Sequence, residues 1–217
     1  MANSVDMYSG CARITGPNQV VCESSSQPQQ TLQADAILIA VGAESTTIPN
    51  VEIDDKTILS STACMELPEV PKSLAVIGAG AIGLELGSVW SRLGSEVTLI
   101  EVLPHIGSEF ADSEVAAEYQ KILEGQGLKF KLGTKVTGVE IEQGKGATVH
   151  LQTQKHVYED LQAEKVLVSV GRKPATKGLG LVEIGVELDR RGAILVTNTC
   201  RTTIPSIFAA GDCTPGP

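Results

Sequence analysis

Val76-Ile77-Gly78-Ala79-Gly80-Ala81-Ile82-Gly83-Leu84-Glu85 is the stretch that decides the fold of this 217-residue chain. Three glycines at this spacing let a strand-to-helix turn meet a pyrophosphate with its main chain. The flanks have the required character. Ser73-Leu74-Ala75-Val76-Ile77 reads as a buried parallel strand, and Ile82, Leu86, Val89, Trp90 and Leu93 recur downstream at helical spacing. In such a unit Gly78 permits the tight turn, Gly80 lets phosphate approach the backbone, and Gly83 allows the helix to pack close on the sheet. The helix N-terminus offers unpaired N–H groups and partial positive charge to the phosphates. Ala79, Ala81, Ile82, Leu84 and Glu85 complete the candidate cradle.

A second element selects the dinucleotide. Glu96-Val97-Thr98-Leu99-Ile100-Glu101 reads as the next strand and ends in a carboxylate. It lies about eighteen residues beyond Gly83, where an acidic side chain accepts hydrogen bonds from the adenine ribose. Glu101 therefore favours NAD(H), because a 2′-phosphate would meet its charge and Val102-Leu103-Pro104 supplies no arginine.

Composition limits the remaining classes. Mean hydropathy is +0.09, and no apolar run approaches the roughly 20 residues needed to span a bilayer. The formal net charge of −9, without a lysine or arginine cluster, argues against nucleic-acid binding, which needs a basic footprint. Met1-Ala2-Asn3-Ser4-Val5-Asp6 has neither a basic flank with an apolar run nor an arginine-rich amphipathic pattern, so no targeting segment is expected in these residues. Cys11, Cys22, Cys64, Cys200 and Cys213 form no close pair, which excludes a C-x-x-C dithiol and familiar zinc spacings. They read as small buried or partly buried thiols of a reducing compartment. His105 follows Glu101 and reads as a loop imidazole bordering the nucleotide without catalytic duty; His150 and His156 are expected in solvent.

Along the chain the expected class is α/β. Residues 1–43 alternate short β-like runs such as Gln19-Val20-Val21-Cys22 with a polar hairpin loop at 24–30, and end in the apolar strand Ala36-Ile37-Leu38-Ile39-Ala40-Val41-Gly42. Residues 44–72, with Pro49, Pro68 and Pro71, read as a crossover connection. Residues 73–172 read as a doubly wound, Rossmann-like domain. Its second helix carries Val115, Tyr119, Ile122 and Leu123 on one face and stops at Gly125-Gln126-Gly127. Lys129-Phe130-Lys131-Leu132 begins the next strand. From Val136 to Lys155 the period changes to two around Gly144-Lys145-Gly146, the mark of an inserted antiparallel meander. Lys165-Val166-Leu167-Val168-Ser169-Val170-Gly171 returns as a buried strand, and 173–217 forms a return segment.

Five runs carry a resemblance: Ile14-Thr15-Gly16-Pro17-Asn18-Gln19-Val20; Val51-Glu52-Ile53-Asp54; Gly87-Ser88-Val89-Trp90-Ser91-Arg92-Leu93-Gly94-Ser95-Glu96-Val97-Thr98; Val168-Ser169-Val170-Gly171-Arg172-Lys173-Pro174; and Ile207-Phe208-Ala209-Ala210-Gly211-Asp212. Through them the chain resembles the middle of the dihydrolipoamide dehydrogenases, flavoprotein disulfide oxidoreductases. The resemblance implies that 1–43 and 173–217 are incomplete pieces of an FAD domain homologous to the NAD domain. It implies NAD contacts at Gly78 through Glu85, at Glu101, Val136 and Gly171. Glu85 matches a glutamate near the nicotinamide, and Val136 and Gly171 line the dinucleotide with side chain and backbone. For FAD it implies Asp212 on the ribityl chain, with Ala12 and the turn Val41-Gly42-Ala43 approaching the flavin nucleotide. A helix N-cap is the plain structural role for Asp212, and the two are compatible, since a capped helix N-terminus is where a flavin pyrophosphate sits.

The chain departs from the family pattern in two places. Ala40-Val41-Gly42 stands where the family usually has Ala-Thr-Gly, and Ala12 where a glycine is common. The family's cysteine pair four residues apart, and the histidine–glutamate acid/base pair of its dimerisation domain, do not occur in these 217 residues. The resemblance implies a homodimeric FAD enzyme that oxidises dihydrolipoamide on lipoyl-bearing proteins of 2-oxoacid dehydrogenase complexes and reduces NAD+. Its setting is the mitochondrial matrix in a eukaryote or the cytoplasm in a bacterium. With no catalytic residue in this chain, the isolated 217 residues are expected to be inactive. A non-catalytic NAD(H)-binding relative and another NADH-dependent flavoprotein reductase are the alternatives.

Overall fold

The computed structural model describes residues 5–25, 28–107 and 111–216. Ser26 and Gln27 of the expected hairpin loop lie outside the described residues. In chain order the elements are β1 (Cys11–Gly16), β2 (Gln19–Glu23), β3 (Gln30–Gln33), β4 (Ile37–Ile39), β5 (Ala43–Ser45), β6 (Ile58–Leu59), α1 (Ser61–Met65), β7 (Ser73–Ile77), α2 (Ala81–Leu93), β8 (Glu96–Ile100), α3 (Ser113–Gly125) and β9 (Lys129–Lys131). There follow β10 (Thr134–Glu142), β11 (Gly146–Thr153), β12 (Tyr158–Ala163), β13 (Lys165–Val168), β14 (Arg172–Pro174) and β15 (Ile207–Ala209). They form two compact units, one from Met1–Glu44 with Arg172–Pro217 and one from Ser45–Gly171. No described helix is long and apolar enough to cross a membrane.

The Ser45–Gly171 unit is built on a parallel sheet of order β6-β13-β7-β8-β9. Period-two alternation explains how both faces are buried. Leu59, Leu74, Val76, Val97, Leu99 and Leu167 point to one face and pack with Leu84, Trp90, Ala116 and Leu123 of the helices. Ile58, Ala75, Ile77, Ile100, Val166 and Val168 point to the other and pack with Val136, Ala147, Val149, Leu151 and Ala163. That second layer is the antiparallel meander β10-β11-β12. The inserted meander thus covers the face that a doubly wound sheet usually gives to helices. Its third strand, β12, was not legible as a strand because Tyr158-Glu159-Asp160-Leu161-Gln162 is mostly polar; pairing with β11 from Gln152↔Tyr158 to Ala147↔Ala163 carries it. The 44–72 connection also contributes structure: β6 pairs with β13, and α1 is capped by Ser60 Oγ accepting from the Ala63 N–H.

Both long helices end near their expected limits but turn a different face inward. In α2 the buried residues are Gly83, Leu84, Gly87 and Trp90, whereas Val89 and Leu93 are exposed. Two glycines bring the helix close to the sheet, which rotates its contact line away from the bulkier stripe. In α3 Ala116 and Leu123 are buried, and Val115, Tyr119 and Ile122 face outward. Gly94 at φ +112 and Gly127 at φ +99 supply the left-handed turns that stop the two helices.

Among the described residues the other unit holds three small sheets: β1-β2-β3 antiparallel, β4-β15 parallel, and β5-β14. β4 covers only the middle of the expected strand 36–42, because its partner β15 offers three residues, Ile207, Phe208 and Ala209. Ile37 and Ile39 enter a core with Ile14, Leu181, Val186, Ile194 and Ile207. Leu38, 64% exposed, faces out, and Val41 is exposed beyond it. The expected apolar exposure of this strand is therefore confined to one of its faces. Small sheets with open edges open more readily than a five-stranded sheet buried on both faces. Limited proteolysis is accordingly expected to cut within residues 1–44 before it cuts within 73–171, as read by mass spectrometry of the first fragments; initial cleavage inside the five-stranded sheet would contradict this ranking.

Candidate nucleotide-binding site

In the five-stranded sheet β7 leads through α2 to β8 on one side, while β13 joins its other side. The crevice at the carboxyl ends of β7 and β13 is thus a topological switch point, where open α/β sheets bind ligands. The glycine stretch lies there. Gly78 takes φ +100, and its N–H donates to Ile100 O at 2.8 Å. A Cβ at Gly78 would come 2.6 Å from Ser169 O. Gly80 is the N-cap of α2 at φ −78 and ψ −174, with no side-chain cap. Its extended geometry places the uncapped first turn of α2 at the mouth of the crevice, open to an anion. A Cβ at Gly83 would overlap Gly78 O and approach Ser169 Oγ to 2.7 Å. The helix is therefore as close to the turn as the backbone permits.

Glu101 is 7% exposed. Its Oε2 accepts from the Ala79 N–H at 2.8 Å and its Oε1 from the Leu103 N–H at 3.0 Å. The carboxylate therefore ties the end of β8 to the glycine turn. Two of its roughly four acceptor positions are used, and two are left for hydroxyl donors. Glu85 is exposed on α2. Gly171 is exposed at φ +127, with open space where a Cβ would stand. Val136 is 7% exposed and belongs to the core under the meander. Its side chain packs there with Ala147, Val149 and Leu151. His105 is exposed, with Nδ1 3.1 Å from Ile106 O.

In the other unit a cleft of 850 Å³ brings Ala43 and Asp212 together with Arg172, Arg191 and Thr197. The Asp212 carboxylate lies 3.9 Å from Arg172 Nε, and its side chain is 70% exposed. Gly211-Asp212-Cys213-Thr214 is a turn closed by the Thr214 N–H on Gly211 O at 2.9 Å. Ala12, exposed on β1, does not line this cleft, nor do Val41 and Gly42, the latter at φ +67.

The sequence model of the pyridine nucleotide-disulphide oxidoreductases matches residues 1–217. The chain belongs to this family. It is 46% identical over 217 residues to the mitochondrial dihydrolipoyl dehydrogenase of Caenorhabditis elegans, covering all of this chain and 44% of that protein. It is 44% identical over 216 residues to the human mitochondrial dihydrolipoyl dehydrogenase, covering 99% and 42%. The chain therefore spans less than half the length of these curated relatives. Among solved structures it is similar to a Cu(II) complex of the HOCl-induced flavoprotein disulfide reductase RclA of Escherichia coli, with TM-score 0.83, 26% identity, and coverage of 95% of this chain and 45% of that one. It is also similar to LpdA of Mycobacterium tuberculosis, with TM-score 0.79, 25% identity, and coverage of 94% and 44%.

Several features of this family member arise only from tertiary contacts. Ser169, half-buried just after β13, lies in the run Val168–Pro174, which marks the family without giving this serine a role, yet it touches both Gly78 and Gly83 of the turn. The cysteines divide: Cys22, Cys64 and Cys213 are buried, whereas Cys11 and Cys200 are exposed, and all are free. His156 is exposed as expected, but His150 is half-buried between carboxylates. Cross-strand pairing sets Asp160 opposite it, with Oδ1 2.7 Å from His150 Nδ1, and Glu140 Oε1 lies 3.5 Å from Nε2. The hydrogen bond to Asp160 raises the imidazole pKa above its ordinary 6.5, with Glu140 adding to the effect. A raised folded-state pKa gives stability that is complete below the unfolded value and lost as pH rises through the folded one. His150→Gln is thus expected to lower the melting temperature slightly at about pH 5.5 and to leave it unchanged near pH 8.5; an equal drop at both would show that the pairing is not protonation-dependent.

Proposed function

We propose that the Ser45–Gly171 unit binds NAD(H), and that the chain is the NAD-binding portion, with part of the FAD domain, of a dihydrolipoamide dehydrogenase. The observation that carries this reading is the glycine turn of β7 and α2 tethered to a buried Glu101, in a chain similar over its whole length to dihydrolipoyl dehydrogenases. The residues present fit a dinucleotide. The close contact of Gly83 with Gly78 brings the uncapped first turn of α2 to the end of β7, and the N–H groups of Gly80, Ala81 and Ile82 would hold the pyrophosphate. Glu101 would accept the adenine ribose hydroxyls on its free lone pairs, which disfavours a 2′-phosphate. Glu85 would orient the carboxamide, and the exposed backbone at Gly171 would border the nicotinamide half. Bound there, NAD+ supplies a hydride acceptor.

In the Met1–Glu44 and Arg172–Pro217 unit the fit to FAD is partial. Asp212 and Ala43 share a cleft suited to the ribityl chain, and the exposed Ala12 and Val41 with the half-buried Gly42 would meet the nucleotide outside it. No residue here supplies the redox disulfide or the acid/base pair, so this chain binds and orients rather than carrying out thiol chemistry. The proposed setting, by resemblance, is a homodimer serving lipoyl-bearing proteins in the mitochondrial matrix. Similarity at 44–46% to dihydrolipoyl dehydrogenases, against 25–27% to RclA and LpdA, favours this substrate class over another flavoprotein reductase.

Calorimetric titration with NADH and NADPH tests the nucleotide assignment. NADH is expected to bind at least about tenfold more tightly, a difference of roughly 1.4 kcal/mol. Absence of NADH binding, or a preference for NADPH, would overturn it.

A further inference from the structure

We infer that Ser169 is a positioning residue for the pyrophosphate-binding turn: its hydroxyl fixes the carbonyls at the end of β7 so that the N-terminus of α2 faces the ligand. The inference rests on the NAD(H) reading above and goes beyond it to a side chain outside the glycine fingerprint. Ser169 Oγ lies 3.0 Å from both Ile77 O and Gly78 O, and the Ser169 N–H donates to Ile77 O at 2.8 Å. One hydroxyl proton is therefore shared by two carbonyls, one of which has a second donor.

From the opposite side Glu101 takes the Ala79 N–H, and the Gly107 N–H donates to Ala79 O at 2.9 Å. With the Gly78 N–H on Ile100 O, the turn from Ile77 O to Ala79 O has every polar backbone group engaged. None of these is left to bind phosphate. The free donors begin at Gly80, where α2 has no side-chain cap. The Gly80 N–H shares its peptide with Ala79 O, held by Gly107, and the peptide just before it is held by Ser169 on the Gly78 carbonyl and by Glu101 on the Ala79 N–H, so Ser169 acts one peptide upstream of the first free donor. Gly83 lies against the same pair of groups, so a shift of the Gly78 carbonyl transmits to the helix. A rigid turn holds its donors in place before the ligand arrives, which lowers the ordering cost of binding.

The test is Ser169→Ala and Ser169→Thr in the full chain, titrated calorimetrically with NADH and, by NMR, with adenosine, which lacks the pyrophosphate. Ser169→Ala is expected to weaken NADH binding about fivefold, the range of one lost hydrogen bond, while adenosine affinity stays at the wild-type level. Ser169→Thr, which keeps the hydroxyl, is expected to recover most of the NADH affinity. Melting curves accompany each variant. Unchanged NADH affinity in Ser169→Ala overturns the positioning role and leaves the nucleotide reading intact. An equal loss toward NADH and adenosine, or a folded Ser169→Thr as weak as Ser169→Ala, also overturns it. A wild-type chain that does not bind NADH overturns the underlying reading instead.

Discussion

Gly83→Ala is expected to abolish measurable NADH binding and to destabilise the Ser45–Gly171 unit by about 3 kcal/mol, the upper part of the range for overpacked sites. The added carbon would overlap Gly78 O, a backbone atom, and meet Ser169 Oγ at 2.7 Å. Backbone cannot yield as a flexible side chain does. The helix must therefore move off the turn, carrying the Gly80, Ala81 and Ile82 N–H groups away from the phosphates. Thermal melting and NADH titration of the same sample measure both effects. A folded Gly83→Ala variant with wild-type affinity would show that the close contact of helix and turn is not what builds the cradle.

Glu101→Ala is the second large effect. Its loss strands the N–H of Ala79, a residue with no exposed surface, at a cost of about 1–3 kcal/mol for an unpaired buried donor. The Leu103 N–H belongs to a residue that is 37% exposed, so water replaces the carboxylate there at little cost. The same substitution removes the ribose acceptor and the negative charge opposing a 2′-phosphate. NADH affinity is expected to fall at least about tenfold, with the preference over NADPH narrowing in parallel. Glu101→Gln, retaining one carbonyl oxygen, should stand between the two. A lower melting temperature with unchanged nucleotide affinity and selectivity would reduce Glu101 to the structural tether.

Most of the second unit was legible because its signals are local. Strand β7, the glycine turn and α2 follow from residues within one contiguous stretch, and β8 with Glu101 follows from the next. The inward faces of α2 and α3 were not legible, since apolar spacing identifies a helix but not which stripe its neighbours cover. Gly83 and Gly87 select the face of α2 by allowing close approach, and that selection is tertiary. Likewise β12 owes its place to the pairing of β11, and β6 to that of β13, rather than to its own composition. At the site, the glycines and Glu101 were legible by type and spacing. Ser169 stands in a run that marks the family, but its hydroxyl's contact with the glycine turn was not legible, because it joins the ends of two strands that are distant in sequence. The second role of Glu101, on the Ala79 N–H, also emerges only when two strand ends are brought side by side.

The measurement that bears most directly on the account is a backbone amide NMR titration of the chain with NADH. NADH bound at the glycine turn gives large, saturable shifts at Gly80, Ala81 and Ile82, with further shifts at Glu101 and Gly171, while amides of the five-stranded sheet away from its carboxyl ends remain still. Saturable shifts that bypass the Gly78–Gly83 turn, or none anywhere at millimolar NADH, would contradict it.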